Sequence, residues 1–265
     1  MSWTLAGAFA LLIAALAHAA WLRRQNRATS ERLEHATFAL EHLQRAFSRF
    51  TPANVVEEII ERGISTTAEK KDVTVLFADL QGFTRMSERL DPVTLVEILN
   101  GYLERMSTAV RNHHGHVSKF MGDGMMALFG ALEENPWDAK DAVEAALEMR
   151  ASLQRFNSEL GARDLPELAF GIGIHRGPVV AGVMGTQHLL EFTVIGDTVN
   201  VASRVEGLTR SHGVDILVTE QVRTLLRQRF ALREMPPCTV KGKSEPLRTF
   251  ALEGRAEAQT SRLAP

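Results

Sequence analysis

The sequence predicts an α+β sheet domain over about residues 64–252, preceded by one transmembrane helix and a short helical linker. Three observations lead there. Strand-length apolar runs alternate with helical periodicity after Gly63, residues Trp3 to Leu22 carry no charged side chain, and a charged stretch with an a/d seam lies between the two. A chain of 265 residues holds one sizeable domain plus extras. Its 45% apolar and 23% charged composition excludes wholesale disorder and a polytopic membrane protein. Lys+Arg 30 against Asp+Glu 32 leaves a net charge of -2, which offers no footprint for a nucleic acid. The single cysteine, Cys238, excludes an intramolecular disulfide and reads as a small packing residue.

Residues 1–22 read as the membrane span, because twenty helical residues at about 1.5 Å rise match the roughly 30 Å hydrocarbon layer. Trp3 and Trp21 stand at its ends, and Arg23, Arg24 and Arg27 follow, so the rest of the chain is expected on the cytoplasmic side of the inner membrane. A cleaved signal peptide competes through Ala17-His18-Ala19, but the preceding residues carry no Lys or Arg. Residues 23–63 read as a juxtamembrane linker. Within it Leu33, Ala36, Leu40, Leu43, Phe47 and Phe50 form an a/d seam of under three heptads, taken as a short parallel helix pair that Pro52 interrupts. Only Met1 and Ser2 precede the apolar stretch, so no extracellular sensor is expected.

In the sheet domain, Val73 to Ala78 reads as a buried strand and Pro92 to Val110 as a helix with proline in its first turn. Val117 to Phe120 and Met125 to Phe129 flank Gly122-Asp123-Gly124 as a hairpin. Asp138 to Phe156 and Val199 to Leu208 read as helices, Leu168 to His175 and Val179 to Val183 as strands. Asp215 to Val218, Thr219 to Leu226 and Cys238 to Leu252 fit a strand, a helix and closing strands, and residues 253–265 a flexible tail.

Two sites carry chemistry. Phe77-Ala78-Asp79-Leu80-Gln81-Gly82-Phe83-Thr84 puts a carboxylate at the end of a buried strand, before a Gly-containing turn that offers backbone N–H groups to phosphate. Lys119-Phe120-Met121-Gly122-Asp123-Gly124 places a second carboxylate between two glycines. Singly these are a helix cap and a turn former; together, at neighbouring strand ends, they suit two-metal phosphoryl chemistry. His113, His114 and His116 cluster at a helix-to-strand junction with spacing that converges poorly on a metal, and read as loop residues.

From about Val73 to about Phe250 the chain resembles the class III nucleotidyl cyclase catalytic domain, the adenylyl and guanylyl cyclase family. The resemblance rests on FADLQGFT at 77–84, HGHVSKFMGDGMMALFG at 114–130, GIGIHRGPVVAGVMG at 171–185, IGDTVNVASRVEGL at 195–208 and TVKGK at 239–243. It implies a ferredoxin-like, palm-type βαββαβ sheet with helices packed on it. It also implies two divalent cations, Mg²⁺ or Mn²⁺, on Asp79, Asp123 and the Leu80 carbonyl, with the turn of Gln81, Gly82, Phe83 and Thr84 around the triphosphate of ATP. Lys119 and Thr193 would select the base, Lys241 would contact the triphosphate, Asn200 the ribose, and Arg204 the charge building on the α-phosphoryl group.

An ammonium at 119 donates, which suits the N1 acceptor of adenine and opposes the N1–H of guanine. Thr193 stands where many adenylyl cyclases have Asp, so leakage towards GTP is expected. The Lys/Thr pairing resembles the subgroup that includes bicarbonate-responsive cyclases. The family builds its site across a dimer, and this chain carries both halves of the residue set, so a homodimer is implied. The alternatives are a guanylyl cyclase, which Lys119 disfavours, and an inactive nucleotide-binding signalling module, which the intact metal and transition-state positions disfavour. The Gly-Gly-acid-acid-Phe hairpin of diguanylate cyclases does not occur.

Overall fold

The computed structural model describes residues 68–186, 189–226, 228–238 and 246–256, together with His18, Trp21, Gln25, His35, Thr37 and Phe38. The chain divides into two compact units, Met1–Gly63 and Ile64–Pro265. In the first, the six described residues are helical and exposed, and the His18 ring stacks on Trp21 with centroids 5.8 Å apart. Among the described residues no helix is long and apolar enough to cross a membrane. The expected span over 1–22, apart from His18 and Trp21, lies outside them, as do all six seam positions and the tail from residue 257.

The second unit runs β1 (Glu69–Gln81), α1 (Phe83–Ser87), α2 (Pro92–Asn112), β2 (His116–Met121), β3 (Gly124–Phe129), α3 (Asp138–Gly161), β4 (Ala169–Thr186), β5 (Leu189–Ile195), α4 (Asp197–His212), β6 (Ile216–Thr219), α5 (Glu220–Arg223), β7 (Phe230–Glu234) and β8 (Thr249–Arg255). The sheet order is β2-β3-β1-β4-β6-β8-β7, with β5 paired to β4. Its first half, β1-α1/α2-β2-β3-α3-β4, is the expected βαββαβ core, antiparallel from β2 through β4.

Alternation along β1 sends Leu76, Ala78 and Leu80 to one face, where Ile98, Tyr102 and Met106 of α2 and Val143, Ala146 and Met149 of α3 cover them. Val73 and Val75 go to the other face with Met126, Leu128, Val179, Val194 and Ala202 of α4. Asp79 belongs by parity to this second face. The Asp91 side chain caps α2, accepting from the N–H groups of Val93 and Thr94 at 3.1 and 3.0 Å, with Pro92 behind it.

The structure departs from the sequence reading at several elements. The two strands expected at 168–175 and 179–183 are one strand, β4, through Gly177-Pro178. Its outer edge pairs with β6 at Ile172–Ile174 and with β5 from Val180 onward. Pro178 falls between those spans, so its missing N–H breaks no ladder bond there. β5 and β7 were not anticipated, and the closing strands reduce to β8 and an isolated Cys238–Leu247 bridge. The helix expected at 219–226 stops at Arg223, because Leu225 and Leu226 bond back three residues, to Val222 and Arg223, in a tightening turn. The tail expected from 253 begins later, since β8 runs to Arg255.

Helix α4 lies on β4 at close range. A methyl at Gly173 would meet the Glu206 backbone N, its Cα at 2.6 Å and the Ala202 carbonyl at 2.7 Å. Gly173→Ala is therefore expected to cost about 3 kcal/mol in denaturant unfolding, because backbone must move. A loss within 0.5 kcal/mol would show that α4 tolerates lifting off the sheet.

Candidate active site

Strand pairing creates the acidic centre. Ala78 is opposite Met125 in the β1–β3 register, so Asp79 comes up beside Gly124, where a Cβ would sit 2.9 Å from Asp79 Oδ1. Gly124 must lack a side chain for the Asp79 carboxylate to stay where it is. Asp123 precedes it in the β2–β3 turn, with Gly122 at φ 66. Burial, and then the neighbouring Asp123, push the Asp79 carboxyl above its ordinary value, and Arg210 pulls it back.

Arg210 is the cation found on this centre. Its Nη2 donates to Asp79 Oδ2 at 2.7 Å and to the Leu80 carbonyl at 3.3 Å. Glu206, one turn earlier, is pushed up to about 7 by burial and by Asp79, against the pull of Arg210. Tyr102, the one tyrosine of the chain, is fully buried, and its hydroxyl has no hydrogen-bond partner among the described residues. Burial and the charges of Asp79, Asp123 and Glu206 raise its phenol.

This donor set fits divalent cations. Two carboxylates and a backbone carbonyl are hard oxygen ligands, and a guanidinium already uses two of the three as a cation site. Among the described residues no three His, Cys, Asp or Glu side chains form a metal-holding group. A site with two carboxylates suits Mg²⁺, which keeps water or phosphate oxygens as its remaining ligands. The Gln81 to Thr84 turn adjoins it: Gly82 takes φ 76 before α1, and the Gln81 amide donates to the Phe170 carbonyl at 3.2 Å.

The structure also gathers Lys119 and Thr193. Lys119 Nζ on β2 lies 2.9 Å from Glu191 Oε1 on β5, and Thr193 is two residues further, on the same side of the strand by alternation. Glu191 thus links the two predicted base-selecting positions. Asn200 and Arg204 are on α4, one turn apart; one Arg204 guanidinium nitrogen, Nη1, is buried and lacks an acceptor among the described residues. Lys241 lies outside the described residues.

At 100° per residue, the buried stripe of α4 (Thr198, Val201, Ala202, Val205, Thr209) separates two pairs. Asn200 and Arg204 fall on one flank and Glu206 and Arg210 on the other, their mid-directions about 120° apart. The second flank serves the chain's own Asp79; the first does not.

The three clustered histidines diverge. His113 Nε2 is 2.9 Å from Glu148 Oε2, His114 Nδ1 is 3.4 Å from Asp141 Oδ2, and His116 packs edge-on to Phe192. His116 is not a loop residue but the first residue of β2, where burial lowers its pKa to about 4.

Glu206, Arg210, Tyr102 and Glu191 were missed at the sequence level. The first two repeat the i, i+4 spacing of Asn200 and Arg204 on the same helix, a signal available in the text.

Comparison with known proteins meets this geometry. An α+β sheet with two carboxylates at neighbouring strand ends and an arginine on one of them defines a domain with an acidic, cation-binding centre. Residues 66–254 match the adenylate and guanylate cyclase catalytic domain, and the chain belongs to that family. It is 39% identical over 219 residues to an adenylate cyclase of Anabaena cylindrica, covering 78% of this chain and 43% of that protein. Adenylate cyclase 1 of Rhizobium meliloti is 33% identical over 214 residues, 80% of this chain and 32% of that protein. The chain thus spans less than half the length of these curated relatives. Among solved structures, the adenylyl cyclase CyaB from P. aeruginosa aligns at 30% identity and TM-score 0.66, over 70% of this chain and 95% of that one. A crystallised guanylyl cyclase aligns at 31% identity and TM-score 0.68, over 73% and 97%.

Burial of His116 has a pH consequence. Its imidazole is held near 4 in the fold against 6.5 unfolded, so the unfolded chain binds more protons between those values and stability rises with pH across that window. The melting temperature of the wild type relative to His116→Leu is expected to fall as pH drops from 6.5 towards 4. A difference independent of pH would rule this out.

Proposed function

We propose that the chain is an adenylyl cyclase that converts ATP to 3',5'-cyclic AMP and pyrophosphate at sites shared by two copies of the chain. The observation that carries this is the convergence of Asp79 and Asp123 with the Leu80 carbonyl, already serving as a cation site. In the reaction the ribose 3'-oxygen loses its proton and bonds to the α-phosphorus, while the bond from that phosphorus to the bridging oxygen of the leaving pyrophosphate breaks. Divalent cations, when bound, acidify the 3'-hydroxyl and neutralise the triphosphate.

The chain's own residues do the rest. Asp79, Asp123 and the Leu80 carbonyl hold the cations, and the Gln81 to Thr84 turn and Lys241 grip phosphate oxygens. Asn200 orients the ribose. Arg204 meets the charge that develops on the α-phosphoryl group, a donor whose loss typically costs about 2.7–4 kcal/mol of barrier. The Arg204 nitrogen without an acceptor supports that role. Because Arg204 and Asn200 lie about 120° around α4 from the flank facing Asp79, they would serve the carboxylates of the second copy.

Lys119 and Thr193 favour adenine, and the curated relatives named above are adenylate cyclases. A guanylyl cyclase is the second reading, since one solved neighbour carries that activity and Thr193 discriminates less than a carboxylate. Supplied with ATP and GTP side by side and Mn²⁺, the 265-residue chain is expected to form cyclic AMP in excess. Asp79→Ala and Arg204→Ala should each be inactive and regain activity when mixed, and Lys119→Glu should move preference towards GTP. No cyclic product from either nucleotide would remove the enzyme reading, and failed complementation would remove the shared site.

We also propose that residues 1–22 anchor the chain in the inner membrane as a single pass with the catalytic domain in the cytoplasm, and that the seam at Leu33 to Phe50 joins the two copies. The uncharged stretch between Trp3 and Leu22 and the arginines that follow support this. The chain is expected to sediment with membranes after carbonate washing and to become soluble when residues 1–22 are removed. Full-length protein in the wash supernatant would refute the anchor.

A further inference from the structure

We propose that Arg210 is a built-in cation of the acidic centre, which holds Asp79 and the Leu80 carbonyl until a divalent ion displaces it and then moves to Glu206. The proposal rests on the reading of Asp79, Leu80 and Asp123 as cation ligands. Arg210 therefore sets the threshold for metal binding without touching the reacting atoms; it is a positioning residue.

Two acceptors give it two places to be. In the structure Nη2 bridges Asp79 Oδ2 and the Leu80 carbonyl at 2.7 and 3.3 Å. Those oxygens cannot serve a guanidinium and a cation at about 2.1 Å together, since lone pairs are shared and the positive charges repel. Glu206 stands four residues earlier on the same flank of α4, with Oε1 buried and unpartnered among the described residues. A Glu–Arg pair at i, i+4 with the acid first is the favourable order on a helix. The Arg210 side chain is 54% exposed and lies in the last turn, so it can swing without disturbing the core. In the metal-free protein it also offsets the repulsion between Asp79 and Asp123.

The test is Mn²⁺ binding to the 265-residue chain in detergent without nucleotide, read from the electron paramagnetic resonance of free Mn²⁺. Arg210→Gln is expected to bind Mn²⁺ about 2- to 5-fold more tightly than wild type, the range for a partly exposed ion pair. It should also melt at a lower temperature in chelator. Arg210→Lys, which keeps a cation, should stay near wild type in both. Glu206→Gln should weaken Mn²⁺ binding more in the wild-type background than beside Arg210→Gln, because only in the former does Arg210 lose its second acceptor. Unchanged or weaker binding by Arg210→Gln overturns the proposal, as does Arg210→Lys behaving like Arg210→Gln; equal effects of Glu206→Gln in both backgrounds overturn the transfer to Glu206. Asp79→Asn separates this from the reading beneath it. If the wild type binds no Mn²⁺, or Asp79→Asn binds as well, the cation site itself fails, whatever Arg210 does.

Discussion

Two like charges meet at the ends of neighbouring strands, and the surrounding domain is arranged to make that tolerable. The β1–β3 register brings Asp79 to Gly124 and hence to Asp123, and the absence of a side chain at 124 keeps the Asp79 carboxylate in place. Like charges brought close near a surface repel, and Asp123 raises the Asp79 carboxyl accordingly. The Tyr102 phenol beneath is too buried to ionise and adds no charge. A cation relieves the pair, and among the described residues Arg210 pairs with Asp79.

That pairing depends on how closely α4 lies on β4. Gly171 and Gly173 present bare backbone to the helix, where any side chain would strike Thr209, Glu206 or Ala202. Close approach on the face shared with Asp79 brings the Glu206–Arg210 flank over the acidic centre. It also turns the Asn200–Arg204 flank away. One helix therefore carries two pairs of polar residues with the same spacing on different sides, which is the geometry that the proposed sharing of a site between two copies calls for.

The parts of the fold that were legible in the sequence are those where periodicity met no competing rule. The β2–β3 hairpin was readable from Gly122-Asp123-Gly124 between apolar runs, and α2 from Pro92 and its buried stripe. β4 was split in the reading because Gly177-Pro178 is a turn signal; an open edge at that point is a tertiary fact no local pattern contains. β1 extends back to Glu69 across charged residues because β4 is long enough to pair with them, from Asp72 opposite Pro178 to Glu69 opposite Ala181. At the site, Asp79, Asp123 and Lys119 were found through motifs. Arg210 was not, since an arginine near a helix C-terminus already satisfies the helix dipole and asks for no further explanation.

Lys119 shows the same economy at the position proposed to select the base. Its ion pair with Glu191 is partly exposed, with side chains 34% and 45% accessible, and such pairs contribute at most about 1 kcal/mol. In the proposed nucleotide site a purine edge would therefore take over the ammonium at little expense. Glu191 carries a second consequence for the proposed nucleotide site. If Lys119 leaves it for adenine N1, its carboxylate remains beside Thr193 as an acceptor, which an adenine amino group can use and which a guanine N1–H could use as well. Discrimination then falls on the ammonium, which repels a donor at N1, more than on the hydroxyl, which accepts from either purine.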